Sequence, residues 1–182
     1  LTLWSGDSWA RYLGGSLWAV AAIALLAGLR PEECDKIEWS AINFAGGTVR
    51  VDAAASKVRQ RRIVHLTAAA IGWLRLAKEL SADLPLTHMT RRRRLRALRD
   101  ALRFDAWPQD ILRHTAASYM LAHARNAGEV ASELGNSSAI LEKHYKELVS
   151  REDGAKFVAL IPSQKIACMA EAEDGKAIKI RE

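Results

Sequence analysis

Hydrophobic and polar positions along the chain fall into a series of helical patterns, interrupted once by short alternating runs. From about Ser8 to Gly28 the residues cycle through Trp, Leu, Ala and Ile without a polar face, as in a helix buried on most sides. Gly28 suits the left-handed position just past a helix end, so a central helix breaks at Arg30. Pro31 fits the first turn of a following helix, where its missing N–H costs nothing, and Glu32, Glu33 and Asp35 complement that helix's positive end. Ile37 to Phe44, Thr48 to Val51 and Arg62 to Leu66 are β-compatible, with Ala45-Gly46-Gly47 as a turn between the first two. These runs predict a small antiparallel sheet.

The helical period then returns. Thr67 can cap a helix running to about Leu80, with Ile71, Leu74 and Ala77 on one face. Thr90 can cap an arginine-rich helix in which Leu95, Leu98 and Leu102 form one stripe and Arg92, Arg96, Arg99 and Arg103 another. Pro108 opens a helix extending to about Asn126, with Ile111, Leu112, Ala116, Tyr119 and Met120 on its buried side. Gly128 separates it from a short helix ending at Gly135, Ser137 or Ser138 caps the segment bearing Tyr145, and a last helix runs from about Arg151 to Leu160, before Pro162. The expected fold is mainly α with a small antiparallel β-sheet, an α+β domain over residues 1–162. Residues 163–182 contain few large apolar side chains and are expected to be a weakly ordered tail, or an arm docked on a neighbouring subunit.

With 182 residues, 49% of them hydrophobic, the chain can bury a sizeable core, which argues against disorder or a fibre. Its net charge of +6 is concentrated: residues 91–103 carry seven Arg against one Asp. Such local charge suits a polyanion such as nucleic acid. Cys34 and Cys168 form no C-x-x-C pair and no zinc spacing, and are expected to be ordinary small hydrophobes in a reducing compartment, here the cytoplasm. Tyr12 to Leu29 carry no charge, but Gly14, Gly15 and Ser16 interrupt the run, so a buried core helix is expected and no membrane span. The chain opens at Leu1 in mid-pattern without a signal peptide, as a piece of a longer protein would.

Three motifs carry chemistry. They are Asp110-Ile-Leu-Arg113-His114-Thr115, Leu134-Gly135-Asn136-Ser137, and Tyr145, nine residues after Asn136. Together they resemble the carboxy-terminal signature of the tyrosine recombinases, the phage integrase family, which runs H-x-L-R-H-T, then L-G-H-S, then a nucleophilic Tyr nine residues on. Two of the family's usual histidines are replaced, by Asp110 and Asn136. Ala27-Gly28-Leu29-Arg30-Pro31-Glu32-Glu33 likewise resembles the family's first box, T-G-L-R-x-x-E, and Lys57, in the basic segment Ser56-Lys57-Val58-Arg59-Gln60-Arg61-Arg62, stands where the family carries its catalytic lysine.

The resemblance implies a role for each of these residues. Tyr145 attacks the scissile phosphate to give a 3′-phosphotyrosyl link and a free 5′-hydroxyl; Arg30 and Arg113 grip the phosphate through planar guanidinium groups; Lys57 protonates the departing 5′ oxygen. Asn136 donates to a phosphate oxygen without adding charge, Asp110 has a supporting role, and Glu33 and His114 buttress the arginines. Arg59, Arg61, Arg92, Arg96, Arg99 and Arg103 are the expected DNA-backbone contacts. No cofactor or metal is implied, because bond energy is kept in the phosphotyrosine. The implied partners are double-stranded DNA, an amino-terminal core-binding domain absent from this chain, and further copies in a homotetramer on DNA, the domain alone being a monomer or weak oligomer of the bacterial or phage-derived, nucleoid-associated kind. Two other readings stay open: a non-catalytic DNA-binding relative, motivated by Asp110 and Asn136, and a strand-swivelling topoisomerase with the same phosphotyrosine chemistry.

Overall fold

The computed structural model describes residues 9–54, 61–80, 82–101, 103–106, 108, 110–124, 126–145 and 148–162, with the backbone alone for 9–15 and 101. Lys57, Arg59, Leu102 and the 163–182 tail therefore lie outside the described residues. The elements run α1 (Trp9–Leu26), α2 (Pro31–Cys34), β1 (Ile42–Asn43), β2 (Thr48–Val51), β3 (Arg62–His65), α3 (Ala68–Glu79), α4 (His88–Ala101), α5 (Ile111–Ala124), α6 (Ala127–Leu134), α7 (Ser138–Tyr145) and α8 (Arg151–Val158). The fold is mainly helical with one three-stranded antiparallel sheet in the order β1-β2-β3, as the hydrophobic pattern predicts.

Helix α1 is central because it is apolar all round: α3, α4 and α5 pack against it, and Leu17, Val20 and Ile23 are almost wholly buried. Val49, Val51 and Val64 point inward from the sheet into the same core, which Leu74 of α3 and Phe157 of α8 complete. A second, smaller cluster joins α5, α6 and α7 through Ala116, Ala117, Val130, Leu134 and Leu141, with Tyr145 packed against it. Cys34 is buried, and burial pushes its thiol well above the ordinary range, in keeping with a small hydrophobe. No helix among the described residues is long and apolar enough to cross a membrane.

Several local expectations need correction. Most of the 37–44 run is not strand: Trp39–Ala41 form a 3-10 turn, since the Trp39 indole donates to the Ala82 carbonyl at 2.8 Å and its ring stacks on Phe44. The arginine-rich helix begins at His88, and it is the Thr87 hydroxyl, not Thr90's, that accepts a terminal N–H, from Thr90 at 3.3 Å. Arg103 lies past the end of α4 with φ 55°, out of the stripe of Arg92, Arg96 and Arg99. Asp110, at φ 57°, delays the start of α5 to Ile111, three residues beyond Pro108. Asn126, whose side chain accepts from the N–H groups of Gly128 and Glu129, sets the break before α6, so Gly128 lies inside that helix. Asp35 closes α2 at its carboxy end and pairs with Arg91 of α4 at 2.6 Å.

Gly28 is the glycine on which the two clusters meet. It holds φ 66°, and a Cβ there would run into the Leu134 side chain and touch Ala116. Gly28→Ala combines left-handed strain of about 1–2 kcal/mol with overpacking of about 1–3 kcal/mol. A loss of roughly 2–5 kcal/mol in denaturant unfolding is expected; a change under about 0.5 kcal/mol, the range of ordinary surface substitutions, would show that the junction gives way freely.

Candidate active site

The site forms where carbonyl groups left over at helix ends meet two guanidinium groups. The last carbonyls of a helix have no partner within it. Gly135 ends α6 in the left-handed conformation, φ 65°, which turns the Leu134 and Gly135 carbonyls away from the helix and towards α2 and α5. Arg30 donates from Nη2 to the Gly135 carbonyl at 2.9 Å and to Asn136 Oδ1 at 2.9 Å. Arg113 donates from Nη1 to the Gly28 carbonyl at 2.5 Å, and from Nη2 to the Leu134 carbonyl at 2.6 Å and Asn136 Oδ1 at 3.1 Å. Two cations thus converge on one side-chain oxygen.

Keeping two guanidinium groups this close is unfavourable, and neighbouring groups offset it. Arg113 is 7% exposed, and burial, reinforced by the positive charge of Arg30, pushes its pKa down to about 10, so it remains charged at neutral pH. Glu33 supplies the counter-charge. Burial alone would raise its carboxyl, but hydrogen bonds from Arg62, from the Arg30 N–H, and the charges of both arginines hold it below the ordinary carboxylate range. Arg62 reaches it through two bonds, Nη1 to Oε1 at 2.8 Å and Nη2 to Oε2 at 2.7 Å, and also donates from Nε to the Glu133 carbonyl at 2.7 Å. Glu33 in turn accepts the Arg30 backbone N–H at 2.9 Å, satisfying a donor at the start of α2.

Tyr145, the last residue of α7, faces this cluster from the α5 side. Its hydroxyl lies 2.5 Å from His114 Nδ1, and the two rings are tilted with centroids 5.7 Å apart. Burial pushes the phenol's pKa up, the Arg113 charge opposes that, and the Asp110 charge adds to it. The Asp110 carboxylate makes no hydrogen bond among the described residues; Asp110 supports α5 through its backbone carbonyl, which accepts the His114 N–H at 2.9 Å. No three His, Cys, Asp or Glu side chains among the described residues come together as a metal site requires.

Of the residues singled out from sequence, Arg30, Glu33, Arg113 and Asn136 form one hydrogen-bonded unit, and His114 links Tyr145 to its edge. Arg61, Arg92 and Arg96 are exposed, while Arg99 is partly exposed and pairs with its neighbour Asp100 at 2.7 Å. Arg91 belongs to no phosphate-facing stripe, being buried against Asp35. Arg62 was not anticipated. Its signal was strand alternation: in β3, Arg62 and Val64 face inward while Ile63 and His65 are exposed, and Arg62 pairs in register with the buried Val51. His114 was expected beside Arg113, and the structure turns it to Tyr145 instead.

A helical fold with a small sheet and a paired-arginine cluster beside a phenol hydroxyl defines the class, a tyrosine recombinase-like domain. Residues 13–149 match the model of the phage integrase family, and this chain belongs to that family. Among solved structures it is similar to XerA recombinase, with a TM-score of 0.59 and 16% sequence identity, over 94% of this chain. That likeness is one of fold, and it spans 65% of the XerA chain. No curated protein sequence matches.

Proposed function

We propose that this chain is the catalytic part of a site-specific DNA recombinase, which cuts and rejoins DNA strands through a 3′-phosphotyrosyl intermediate. The observation that carries this reading is the convergence of Arg30 and Arg113 on Asn136 Oδ1, with the Tyr145 hydroxyl close by. Two fixed guanidinium groups aimed at one acceptor offer a ready-made clamp for the non-bridging oxygens of a phosphodiester, whose negative charge grows as the phenol attacks. Because their other N–H groups are already fixed on carbonyls, little reorganisation accompanies the reaction. Arg30 and Arg113 hold the phosphate, Asn136 orients them, Tyr145 is the nucleophile, and Glu33 with Arg62 sets Arg30. Lys57 completes the set as acid for the 5′ oxygen, in keeping with the family pattern.

Double-stranded DNA is the partner in this reading, with residues 1–162 as the catalytic domain and the 163–182 tail as a contact to a neighbouring copy in a tetramer. Incubation in EDTA with a pool of nicked suicide duplexes tests it. A denaturation-resistant adduct on the DNA 3′ end is expected; salt-sensitive DNA binding with no adduct on any duplex would sink it. That second outcome belongs to the non-catalytic reading, which the Asp110 charge near Tyr145 and the uncharged Asn136 favour.

The arginine stripe of α4 serves binding rather than choice of site. Each phosphate contact adds about one to the slope of log affinity against log salt. Replacing exposed Arg92 and Arg96 by Ala should flatten that slope by about 2 on a random-sequence duplex, measured by fluorescence anisotropy across a salt series. An unchanged slope would remove α4 from the interface.

A further inference from the structure

We propose that His114 is the proton acceptor for Tyr145, standing in for the family-pattern histidine that position 110 lacks. The inference rests on the strand-cleavage reading above and extends it. His114 lies in the first turn of α5, four residues after Asp110, which stands just ahead of that helix in the left-handed conformation, and α7 packs against α5. The imidazole Nδ1 is 2.5 Å from the phenol oxygen, within reach for proton transfer, whereas the Asp110 carboxylate makes no hydrogen bond among the described residues. Imidazole is also the better chemical match. Carboxylates titrate ordinarily near 4, imidazoles near 6.5 and phenols near 10, so proton transfer from phenol is less uphill to imidazole.

The step balances as follows. Neutral His114, carrying its proton on Nε2, takes the Tyr145 hydroxyl proton on Nδ1; the phenol oxygen forms a bond to phosphorus as the bond from phosphorus to the 5′ oxygen breaks, and that oxygen leaves as a hydroxyl on gaining a proton from the acid. On rejoining, a 5′-hydroxyl attacks phosphorus and gives its proton back to the group that had served as the acid, while the bond from phosphorus to the phenol oxygen breaks and the imidazolium returns its proton to the departing phenolate. Nothing is oxidised or reduced. Arg113, adjacent in sequence and charged, steadies the phenolate, and the nearby Asp110 charge opposes it, which makes an acceptor for the phenol proton the more necessary. His144, exposed and 6.4 Å ring to ring from Tyr145, makes no hydrogen bond to it among the described residues.

Two measurements on the full chain test this. Nitrogen-15 NMR of the neutral His114 ring should show Nδ1 bare and Nε2 protonated, shifting in Tyr145→Phe; a ring protonated on Nδ1 overturns the proposal. Adduct formation on the suicide-duplex pool should slow by about 10²–10⁴ in His114→Ala. Added imidazole should restore part of the rate. His114→Gln retains hydrogen-bonding capacity but no basicity and should stay slow, so a Gln variant as fast as the unaltered chain also overturns it. No adduct from the unaltered chain would sink the cleavage reading itself, whereas equal rates from the unaltered chain and His114→Ala would sink only the role of His114.

Discussion

Tyr145→Phe should bind DNA as tightly as the unaltered chain and leave no covalent adduct on any duplex. The change removes one oxygen. That oxygen is the proposed nucleophile and the partner of His114, while the ring packs against the α5, α6 and α7 cluster, where Phe fills nearly the same space. Loss of chemistry should therefore come without loss of fold. Tyr145 is 31st in line after His114, so no local element holds the two together; packing of α7 on α5 does. The check is denaturing electrophoresis of labelled duplexes beside an anisotropy titration. Adduct persisting in Tyr145→Phe would assign the nucleophile elsewhere, with Tyr119, tilted against Phe157 with ring centroids 4.6 Å apart at the edge of the core, a poor substitute.

Glu33→Ala should cost more stability than any other single change at the site. Its carboxylate is fully buried and takes two bonds from Arg62 and one from the Arg30 N–H, so truncation strands the Arg62 guanidinium, itself 10% exposed, without its counter-charge. Breaking a buried pair in this way costs about 3–5 kcal/mol. For a chain of this size that is a fall in Tm of roughly 6–20 °C. The pH dependence follows from the same contacts. Because Glu33 titrates lower folded than unfolded, its contribution is fully present above the ordinary carboxylate range and disappears as pH falls through its lowered folded value. Unfolding midpoints measured from neutral to acid pH should therefore decline in the unaltered chain and decline less steeply in Glu33→Gln. Parallel curves for the two would place the acid sensitivity elsewhere.

The site was legible in sequence wherever it followed local rules. Gly28 announced a left-handed helix end and Gly135 the end of a short helix, and both hold positive φ. The motif around Arg113 and the spacing to Tyr145 identified the residues that meet. Strand β1 was less legible, because Trp39 finds its partner at Ala82, far along the chain, and that contact turns the backbone out of the sheet. Arg62 was hidden for a similar reason: an arginine in a basic segment has the composition of a surface loop, and only its register against Val51 shows that it turns inward.

By itself, then, the sequence determined the helical class and the small sheet, since these depend on periodicity, a property of neighbours along the chain, and its motifs carried the resemblance to the family. Which groups share a proton or a charge was decided by tertiary structure alone. Glu33 with Arg62, Arg113 with the Gly28 carbonyl, and His114 with Tyr145 are joined across 29, 85 and 31 residues, and each pairing arises because burying the apolar faces of α1, α5, α6 and α7 leaves polar groups that must find partners at the seams.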